Sequence, residues 1–273
     1  MSLRRIALLG AGNMGRALIG GLLRSGTRAE AVSVGEHLAA AREAITRDLG
    51  VSAGADNAHA IEGASVVVLA VKPQDAQAVL VPLAPLLSAA RPLVLSVCAG
   101  VRLALLERWC GAGVPIVRAI PNRPALVGAG VSALYAPAEV GARERSAAEE
   151  TLRAVGDVVW VDSEGALDAV TALSGSGPAY FFLLTQLMAE AGAELGLQAP
   201  TARRLALATL NGSALMTQAG DADLVRLRAE VTSKGGTTAA AVRAFEAADL
   251  RGTVLRAMQA AAARSRELGE NQN

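Results

Sequence analysis

The chain has 273 residues, which is long enough for two modest domains. Lys and Arg total 26 against 25 acidic residues, so the net charge is +1 and the chain lacks the excess of basic residues that would indicate nucleic-acid binding. An aromatic content of 3% also argues against base-stacking surfaces, and no apolar run reaches the roughly 20 residues of a membrane-spanning helix. We therefore expect a soluble, cytoplasmic protein that binds neither nucleic acid nor a membrane.

Short apolar runs alternate with helical patterns over the first 160 or so residues. Continuous β-branched runs of this length are typical of strands buried on both faces of a parallel sheet covered by helices. Helices are predicted over 13–24 and over 38–49, the second of which ends at Gly50. The predicted strands lie at 5–10, 31–35, 65–71, 92–97, 114–120, 130–136 and 157–161.

The residue pattern changes after Glu164: strand patterns stop, and Ala, Leu, Arg and Glu dominate the composition. A helix is predicted from Pro178, a residue favoured at helix starts, to a stop at Gly196. Its first three turns are apolar almost all round, so we expect a second copy of the chain to cover part of it. Further helices are predicted over 200–219, 221–230, 238–248 and 250–268. The expected boundary places one domain at 1–163 and an all-α domain at 164–273.

A glycine-rich motif follows the first predicted strand and opens the first predicted helix. Gly10 suits a tight turn, Gly12 leaves the backbone open to a pyrophosphate, and Gly15 permits close packing of the helix on the strand. The helix start then offers amide donors to the anion. The pattern predicts a Rossmann-type dinucleotide-binding domain whose loop residues, Gly10, Ala11, Gly12, Asn13, Met14 and Gly15, contact the cofactor; packing alone is the other interpretation.

Glu36 follows the second strand, where an acid can bind the adenosine ribose hydroxyls. A carboxylate repels a 2′-phosphate and therefore favours NAD. Arg42 on the next helix can fold back and supply the opposite charge, and a plain solvated acid at a helix start is the alternative for Glu36.

Several further cofactor contacts are expected at the carboxyl ends of strands, where open parallel sheets bind ligands. Lys72 follows a strand expected to be buried and is a candidate cofactor contact; the alternative is that it simply starts a loop. Small residues after the 92–97 strand let the nicotinamide half approach the backbone. Asn57 is expected near the adenosine side, and the remaining predicted contacts are Ala70, Val71, Pro73, Cys98, Ala99 and Gly100.

Several common catalytic groups are missing from the sequence. The two histidines, His37 and His59, lie in early segments and are expected to have surface or structural roles, and no residues have metal-ligand spacing. Cys98 and Cys110 are expected to be reduced and buried. The chemistry must therefore use a lysine or a carboxylate, or need little help with protons. Reduction of a protonated imine is of the second kind, because a charged C=N bond already attracts hydride and needs mainly orientation.

A Ser-Lys-Gly-Gly-Thr-Thr segment separates two predicted helices of the second domain. The amides after Ser233, at Gly235, Gly236 and Thr237, can form a concave anion site at a helix start. Thr238 opens that helix and can direct its hydroxyl into the same pocket. The alternative is a helix–helix turn with capping threonines.

Three further segments from residue 119 onward are "AIPNRPALVGAG", "TALSGSGPAYFFLL" and "EVTSKGGTTAAA". In order and spacing they resemble the signature blocks of the pyrroline-5-carboxylate reductase family, and the resemblance extends over nearly the whole chain. It implies NADPH- or NADH-dependent reduction of 1-pyrroline-5-carboxylate to L-proline, the last step of proline biosynthesis. It also implies a homodimer formed through the helical domain, which in this family commonly assembles into a decamer.

The resemblance also implies roles for individual residues. The turn matching Ser233, Gly235, Gly236, Thr237 and Thr238 binds the substrate carboxylate, and the Thr238 hydroxyl contacts the ring nitrogen as the catalytic contact. Glu164 matches a position near bound substrate, and Asn122 belongs to the cofactor-binding set.

Two departures from the family pattern are visible. Arg123 replaces the usual Thr of a Pro-Asn-Thr-Pro block, and Lys234 stands where many members have Pro.

The rival interpretations are a reductase of a related cyclic imine and a non-catalytic dinucleotide sensor. A β-hydroxyacid dehydrogenase is a weaker rival, because the helix from Pro178 carries no lysine.

Overall fold

The computed structural model describes residues 5–218 and 223–270. Contacts divide the chain into two compact units, one of residues 1–176 with 261–273 and one of residues 177–260. We call them the sheet unit and the helical unit. The domain boundary predicted after residue 163 lies earlier in the chain than this division and stays a prediction.

The sheet unit contains an eight-stranded sheet in the described residues. Its order is β3-β2-β1-β4-β5-β6-β7-β8, and all neighbours pair in parallel except β6 and β7, which are antiparallel. The order rises on both sides of β1, so the sheet is doubly wound in the Rossmann manner. The strands are β1 Ile6–Leu9, β2 Val32–Gly35, β3 Ser52–Gly54, β4 Val66–Leu69, β5 Leu93–Ser96, β6 Ile116–Pro121, β7 Gly130–Tyr135 and β8 Gly156–Trp160.

The sequence patterns identified seven of these strands and missed β3. That strand has three residues at the sheet edge and carries no continuous apolar run. A second difference concerns β7, which was expected simply to extend a parallel sheet. The connection from β6 to β7 contains only a short 3₁₀ turn, Arg123–Val127, and a link that short suits antiparallel neighbours.

Helices cover both faces of the sheet, and each face has its own apolar core. Leu8, Leu18 and Leu134 belong to one core, whereas Leu9, Leu69 and Leu106 belong to the other. The helices of this unit are α1 Asn13–Arg24, α2 Ala39–Leu49, α3 Asn57–Ile61, α4 Ala76–Leu80, α5 Ala84–Ala90, α6 Leu103–Cys110, α7 Ala142–Arg153 and α8 Ala166–Val170. The predicted start and end of α1 are confirmed, as is the end of α2 at the left-handed Gly50, whereas α2 begins at Ala39, one residue later than predicted.

A π-helical turn, Thr171–Gly175, joins α8 to the helices that follow. These are α9 Gly177–Glu194, α10 Ala199–Met216, α11 Leu224–Glu230, α12 Thr237–Ala247 and α13 Leu250–Glu270. The last turns of α13, from residue 261, belong to the sheet unit. Parts of two predicted helices, at 219 and at 221–222, lie outside the described residues.

The helix α9 exposes an apolar face in the single chain. Phe181 and Phe182 are 61% and 63% exposed, and Leu183, Leu187 and Met188 are also exposed. This observation fits the expectation that a second copy of the chain covers part of the helix.

We predict that Leu69→Ala lowers the free energy of unfolding by about 2–5 kcal/mol, because a fully buried leucine leaves a cavity at the end of β4. The matched control, Leu86→Ala on α5, removes an exposed leucine and should change stability by less than about 0.5 kcal/mol. Urea unfolding measures both. Equal losses in the two variants would contradict the assigned core.

Candidate active site

The carboxyl ends of β1, β2 and β4 lie side by side at one edge of the sheet. Leu9 pairs with Gly35 on one side and with Leu69 on the other, so the segments that follow these three strands meet there. This edge is where open parallel sheets bind ligands. Most of the predicted cofactor residues follow one of these three strands or the adjacent β5.

The glycine-rich turn between β1 and α1 depends on the absence of side chains. Gly10 has a φ of +96°, and its amide donates to the Gly35 carbonyl at 2.8 Å. A β-carbon at Gly10 would lie 2.8 Å from the Ala70 oxygen, and one at Gly15 would collide with the Gly10 carbonyl. Both positions therefore need glycine for close approach, as the motif predicts.

Gly12 differs from these two glycines because its surroundings are open. A β-carbon there would meet nothing within 4 Å. Gly12 caps α1 without a side-chain hydrogen bond, and the amides of Asn13, Met14 and Gly15 begin the helix. Since the first amides of a helix lack intrahelical acceptors, this open corner fits a pyrophosphate.

Glu36 is buried against the same turn. One oxygen of its carboxylate accepts the Ala11 amide at 2.8 Å, and the other accepts the Leu38 amide at 2.9 Å. The interpretation of Glu36 as a solvated helix-start acid is therefore wrong. Arg42 folds back as expected, because its guanidinium donates to the carbonyls of Glu36 and His37 at 2.9 and 2.8 Å.

Asn57 begins α3 beside the end of β2. A β-carbon at Gly35 would collide with the Asn57 side-chain oxygen, so the amide group lies directly over the Gly35 backbone. This position is compatible with the expected placement near the adenosine side.

Lys72 is exposed beyond β4 and precedes a 3₁₀ turn that Pro73 begins. Within the described residues it forms no ion pair. Ala70 and Val71 are half-buried, and both pack close to Gly10. Ala70 and Val71 thus line the glycine turn, and the Lys72 ammonium group is available to a ligand.

The loop of residues 97–102, which we call the 97–102 loop, follows β5. Ala99 is exposed and Gly100 has a φ of +79°, so its middle offers backbone to a ligand. Cys98, by contrast, directs its thiol inward to the Val71 carbonyl at 3.2 Å. Only the Cys98 backbone is therefore available for cofactor contact, while burial raises the pKa of its thiol to about 12.

Asn122 has both ends of its side chain engaged in the protein. Its nitrogen donates to the Ser174 carbonyl at 3.1 Å, and its oxygen accepts the Val131 amide at 2.9 Å. These bonds tie the end of β6 to β7 and to the π-helical turn. Arg123, the next residue, is exposed and has no ion pair in the part of the chain that the structure describes.

Glu164 is half-buried and pairs with the buried Arg118, a charge pair that the sequence reasoning missed. Its carboxylate accepts from the Arg118 guanidinium at 2.5 Å and from the Leu103 amide at 2.6 Å. Burial lowers the pKa of Arg118 from its ordinary value, and the charge of Glu164 opposes that shift. An arginine inside the apolar 114–120 run was the signal, because a charge buried in a strand needs a partner.

A second pair stands beside the first. The Asp168 carboxylate accepts from Arg102 at 3.0 Å and from the Ser265 hydroxyl at 2.7 Å. Arg102, Asp168 and Ser265 were likewise absent from the predicted site.

The helical unit holds the predicted substrate turn at the start of α12. Gly235 has a φ of +76° and open space around it, whereas a β-carbon at Gly236 would collide with the Ser233 hydroxyl. The Gly236 amide donates to the Ser233 carbonyl at 3.0 Å, so the expectation that it binds an anion is wrong. The turn bond occupies it and leaves the amides of Gly235, Thr237 and Thr238 to a ligand.

Thr238 is half-buried, and its hydroxyl forms no hydrogen bond within residues 5–218 and 223–270. Ser233 and Lys234 are exposed. A carboxylate at this turn would therefore meet helix-start amides, three hydroxyls and a nearby cation.

Other kinds of site find no support in the described residues. They contain no group of three or more His, Cys, Asp or Glu side chains placed to hold a metal. His37 and His59 are exposed, as expected, and both cysteines are free and buried. None of the helices described is long and apolar enough to cross a membrane.

Comparisons with known proteins agree over almost the whole chain. Residues 164–268 match the family model described as pyrroline-5-carboxylate reductase dimerisation, and residues 5–100 match the model described as NADP oxidoreductase coenzyme F420-dependent. The pyrroline-5-carboxylate reductase of Pseudomonas aeruginosa is 46% identical over 99% of this chain and 98% of its own. The enzyme of Mycobacterium tuberculosis is 42% identical over 97% and 96%.

Solved structures extend the similarity to the fold. A pyrroline-5-carboxylate reductase from Coxiella burnetii superposes with a TM-score of 0.94 at 38% identity, covering 98% of this chain and 99% of the other. A Plasmodium falciparum pyrroline carboxylate reductase with NADP bound gives a TM-score of 0.84 at 28% identity, over 98% and 99%.

We predict that Gly12→Ala raises the Kd for reduced nicotinamide dinucleotide at least about tenfold, equivalent to roughly 1.4 kcal/mol, because the new methyl group enters the open pyrophosphate corner. Its melting temperature should remain that of the wild type. Gly15→Ala is the matched comparison and should lower the melting temperature, since its methyl group strikes the Gly10 carbonyl. Calorimetry and cofactor fluorescence separate the two effects. Unchanged affinity in Gly12→Ala would contradict the assigned corner.

We also predict that Cys98 and Cys110 resist iodoacetamide at pH 8 in the folded protein. Burial raises the pKa of each thiol to about 12, so the reactive thiolate is scarce at that pH. Mass spectrometry should show both cysteines alkylated only after unfolding in urea. Rapid labelling of native protein would show that the thiols are accessible.

Proposed function

The chain belongs to the pyrroline-5-carboxylate reductase family, and we propose that it reduces 1-pyrroline-5-carboxylate to L-proline with NADPH or NADH. This is the last step of proline biosynthesis. The observation that carries the proposal is the similarity over nearly the full length, and the open backbone at Gly12 and at Gly235 supports it by leaving room for an anion. The cytoplasmic location expected from the sequence is part of the same proposal.

The sheet unit supplies the cofactor site. The helix start at Asn13–Gly15 would bind the pyrophosphate, while Glu36 and Asn57 stand on the adenosine side. The buried charge of Glu36 favours NADH, whereas Arg42 adds a positive charge to the same turn and offsets part of that preference for NADH. Lys72 and the backbone of Ala99 and Gly100 complete the proposed set.

The helical unit supplies the substrate site. The amides of Gly235 and Thr237 would bind the substrate carboxylate, with the Ser233 and Thr237 hydroxyls beside them. The Thr238 hydroxyl would accept a hydrogen bond from the iminium N–H and thereby fix the orientation of the ring. One oxygen of Glu164 accepts hydrogen bonds from Arg118 and from the Leu103 amide. We propose that these bonds stabilise the segment beside the cofactor and that the remaining oxygen of Glu164 contacts the substrate.

The chemistry needs little from protein acids or bases. Bound NAD(P)H supplies the hydride that adds to C5 of the pyrroline ring. The nitrogen keeps its proton, takes the electron pair of the C=N bond and becomes the secondary amine of proline. The protein orients the ring and excludes water, which is the kind of catalysis that positioning can provide.

Assembly follows from the matched dimerisation region and from the exposed apolar face of α9. The chain carries the region through which this family dimerises, and we propose that it forms a homodimer. Further association of dimers into a decamer is the finer proposal, which sedimentation would test.

Steady-state assays test the activity directly. Purified protein should oxidise NADPH or NADH when pyrroline-5-carboxylate is added and should yield L-proline. A six-membered cyclic imine serves as the comparison substrate, and faster turnover of that imine would identify a related imine reductase. Cofactor binding without oxidation would identify a dinucleotide sensor.

We predict that Thr238→Ala lowers kcat/KM for the imine about ten- to a hundredfold, because one hydrogen bond to a charged group contributes roughly 1.5–3 kcal/mol. Thr238→Ser keeps the hydroxyl and should retain most of the activity. The control is Thr217→Ala, which removes a hydroxyl that donates to the Ala214 carbonyl in the same unit. Wild-type turnover in Thr238→Ala would refute the assigned role.

A further inference from the structure

The last turns of α13 return to the sheet unit and pack against the 97–102 loop. A β-carbon at Gly269 would lie 2.8 Å from the Arg102 side-chain Nε and 3.3 Å from the Gly100 oxygen. One at Gly100 would lie 3.6 Å from Leu268. The helix backbone therefore forms a wall for this loop, and Gly269 is buried there.

Hydrogen bonds join the same helix to the same loop through one buried carboxylate. Asp168 on α8 accepts from the Ser265 hydroxyl with Oδ1 at 2.7 Å and from Arg102 with Oδ2 at 3.0 Å. Both Ser265 and Asp168 are buried. Asp168 thus links a residue of α13 to the residue that ends the loop.

Arg102 ends the loop at the start of α6, where its carbonyl accepts the amides of Leu105 and Leu106 at 3.1 and 3.2 Å. Leu103, immediately after it, donates its amide to Glu164 at 2.6 Å. At the other end, the Val97 amide donates to the Leu69 carbonyl at 3.0 Å. Ala99 and Gly100 lie between these two fixed ends, so their backbone is held in one place when Arg102 is held.

We infer that Ser265 and Gly269 are positioning residues for the cofactor. Acting through Asp168 and Arg102, they keep the 97–102 loop in the shape that receives the nicotinamide half. This inference rests on the proposed function in one respect, namely that Ala99 and Gly100 contact the cofactor. Neither Ser265 nor Gly269 touches the ligand itself.

Two substitutions break the link at different points. Ser265→Ala leaves one oxygen of a buried carboxylate without its donor, which weakens the hold on Arg102. Gly269→Ala places a methyl group where the Arg102 guanidinium lies and pushes it from Asp168. Alanine is also the better helix former by about 1 kcal/mol, so a loss of cofactor affinity in this variant would not reflect a weaker helix.

Two control variants separate positioning from general damage. Gly212→Ala makes the same change inside α10, where a β-carbon meets nothing within 4 Å. Arg266→Ala removes an exposed side chain next to Ser265 that has no ion pair in the described ranges.

The measurements are the Kd for NADH and NADPH by nicotinamide fluorescence, amide hydrogen exchange over 98–103, and steady-state kinetics. We expect both test variants to raise the Kd and the cofactor KM about three- to tenfold, the size of one weakened hydrogen bond. Exchange over 98–103 should accelerate, while the KM for the imine and the melting temperature stay near wild type. The controls should match the wild type in cofactor Kd, in exchange over 98–103 and in kinetics, and Gly212→Ala should melt no lower than the wild type because alanine favours the helix.

Wild-type Kd values and exchange rates in both test variants would overturn the inference. A parallel rise in the imine KM with a lower melting temperature would also overturn it, since that pattern indicates general unfolding. The proposed function fails separately: a wild type that binds cofactor but produces no proline refutes the reaction, while raised Kd values in the variants would still support the positioning role.

Discussion

The fold depends on one close approach, the packing of the Gly10–Gly15 turn against the end of β4. Side chains at Gly10 or Gly15 would strike the Ala70 or Gly10 carbonyls, so only a bare backbone lets α1 begin directly at the sheet edge. That start brings helix amides to the edge where β1, β2 and β4 end together. Glu36 then fixes the turn by accepting the Ala11 amide. The proposed cofactor site therefore depends on this backbone geometry more than on any reactive side chain.

Two charge pairs, each with one buried member, lie beyond the end of the neighbouring strand β5. Arg118 and Glu164 form one pair, and Arg102 and Asp168 form the second. Removing one member of such a pair leaves an uncompensated charge, so each partner constrains the position of the other. Through Ser265 and Leu103 these pairs connect α13, α8 and the 97–102 loop. A reaction that relies on orientation rather than on acid–base chemistry needs this kind of fixed support.

Local patterns explain which features were predictable. The strands, the tight glycine turn and the Gly50 helix stop each depend on adjacent residues, and the structure contains all three. The predicted cofactor contact of that turn stays a prediction. The short edge strand β3 and the antiparallel pairing of β6 with β7 depend on contacts with other strands. The residue pattern of one segment alone therefore does not predict them. For the same reason the sequence did not reveal the partner of Arg118 or the hydrogen bond that occupies the Gly236 amide. The contacts of Asn122 were hidden too, because its side-chain partners are backbone atoms of Val131 and Ser174.

The proposed reaction requires direct hydride transfer from the dihydronicotinamide to C5 of the pyrroline ring. Reaction of the purified protein with pyrroline-5-carboxylate and a cofactor deuterated at C4, on the transferred face, measures that passage. Mass spectrometry should find L-proline carrying a single deuterium at C5. Proline without the label, or consumption of cofactor without proline, would contradict the account.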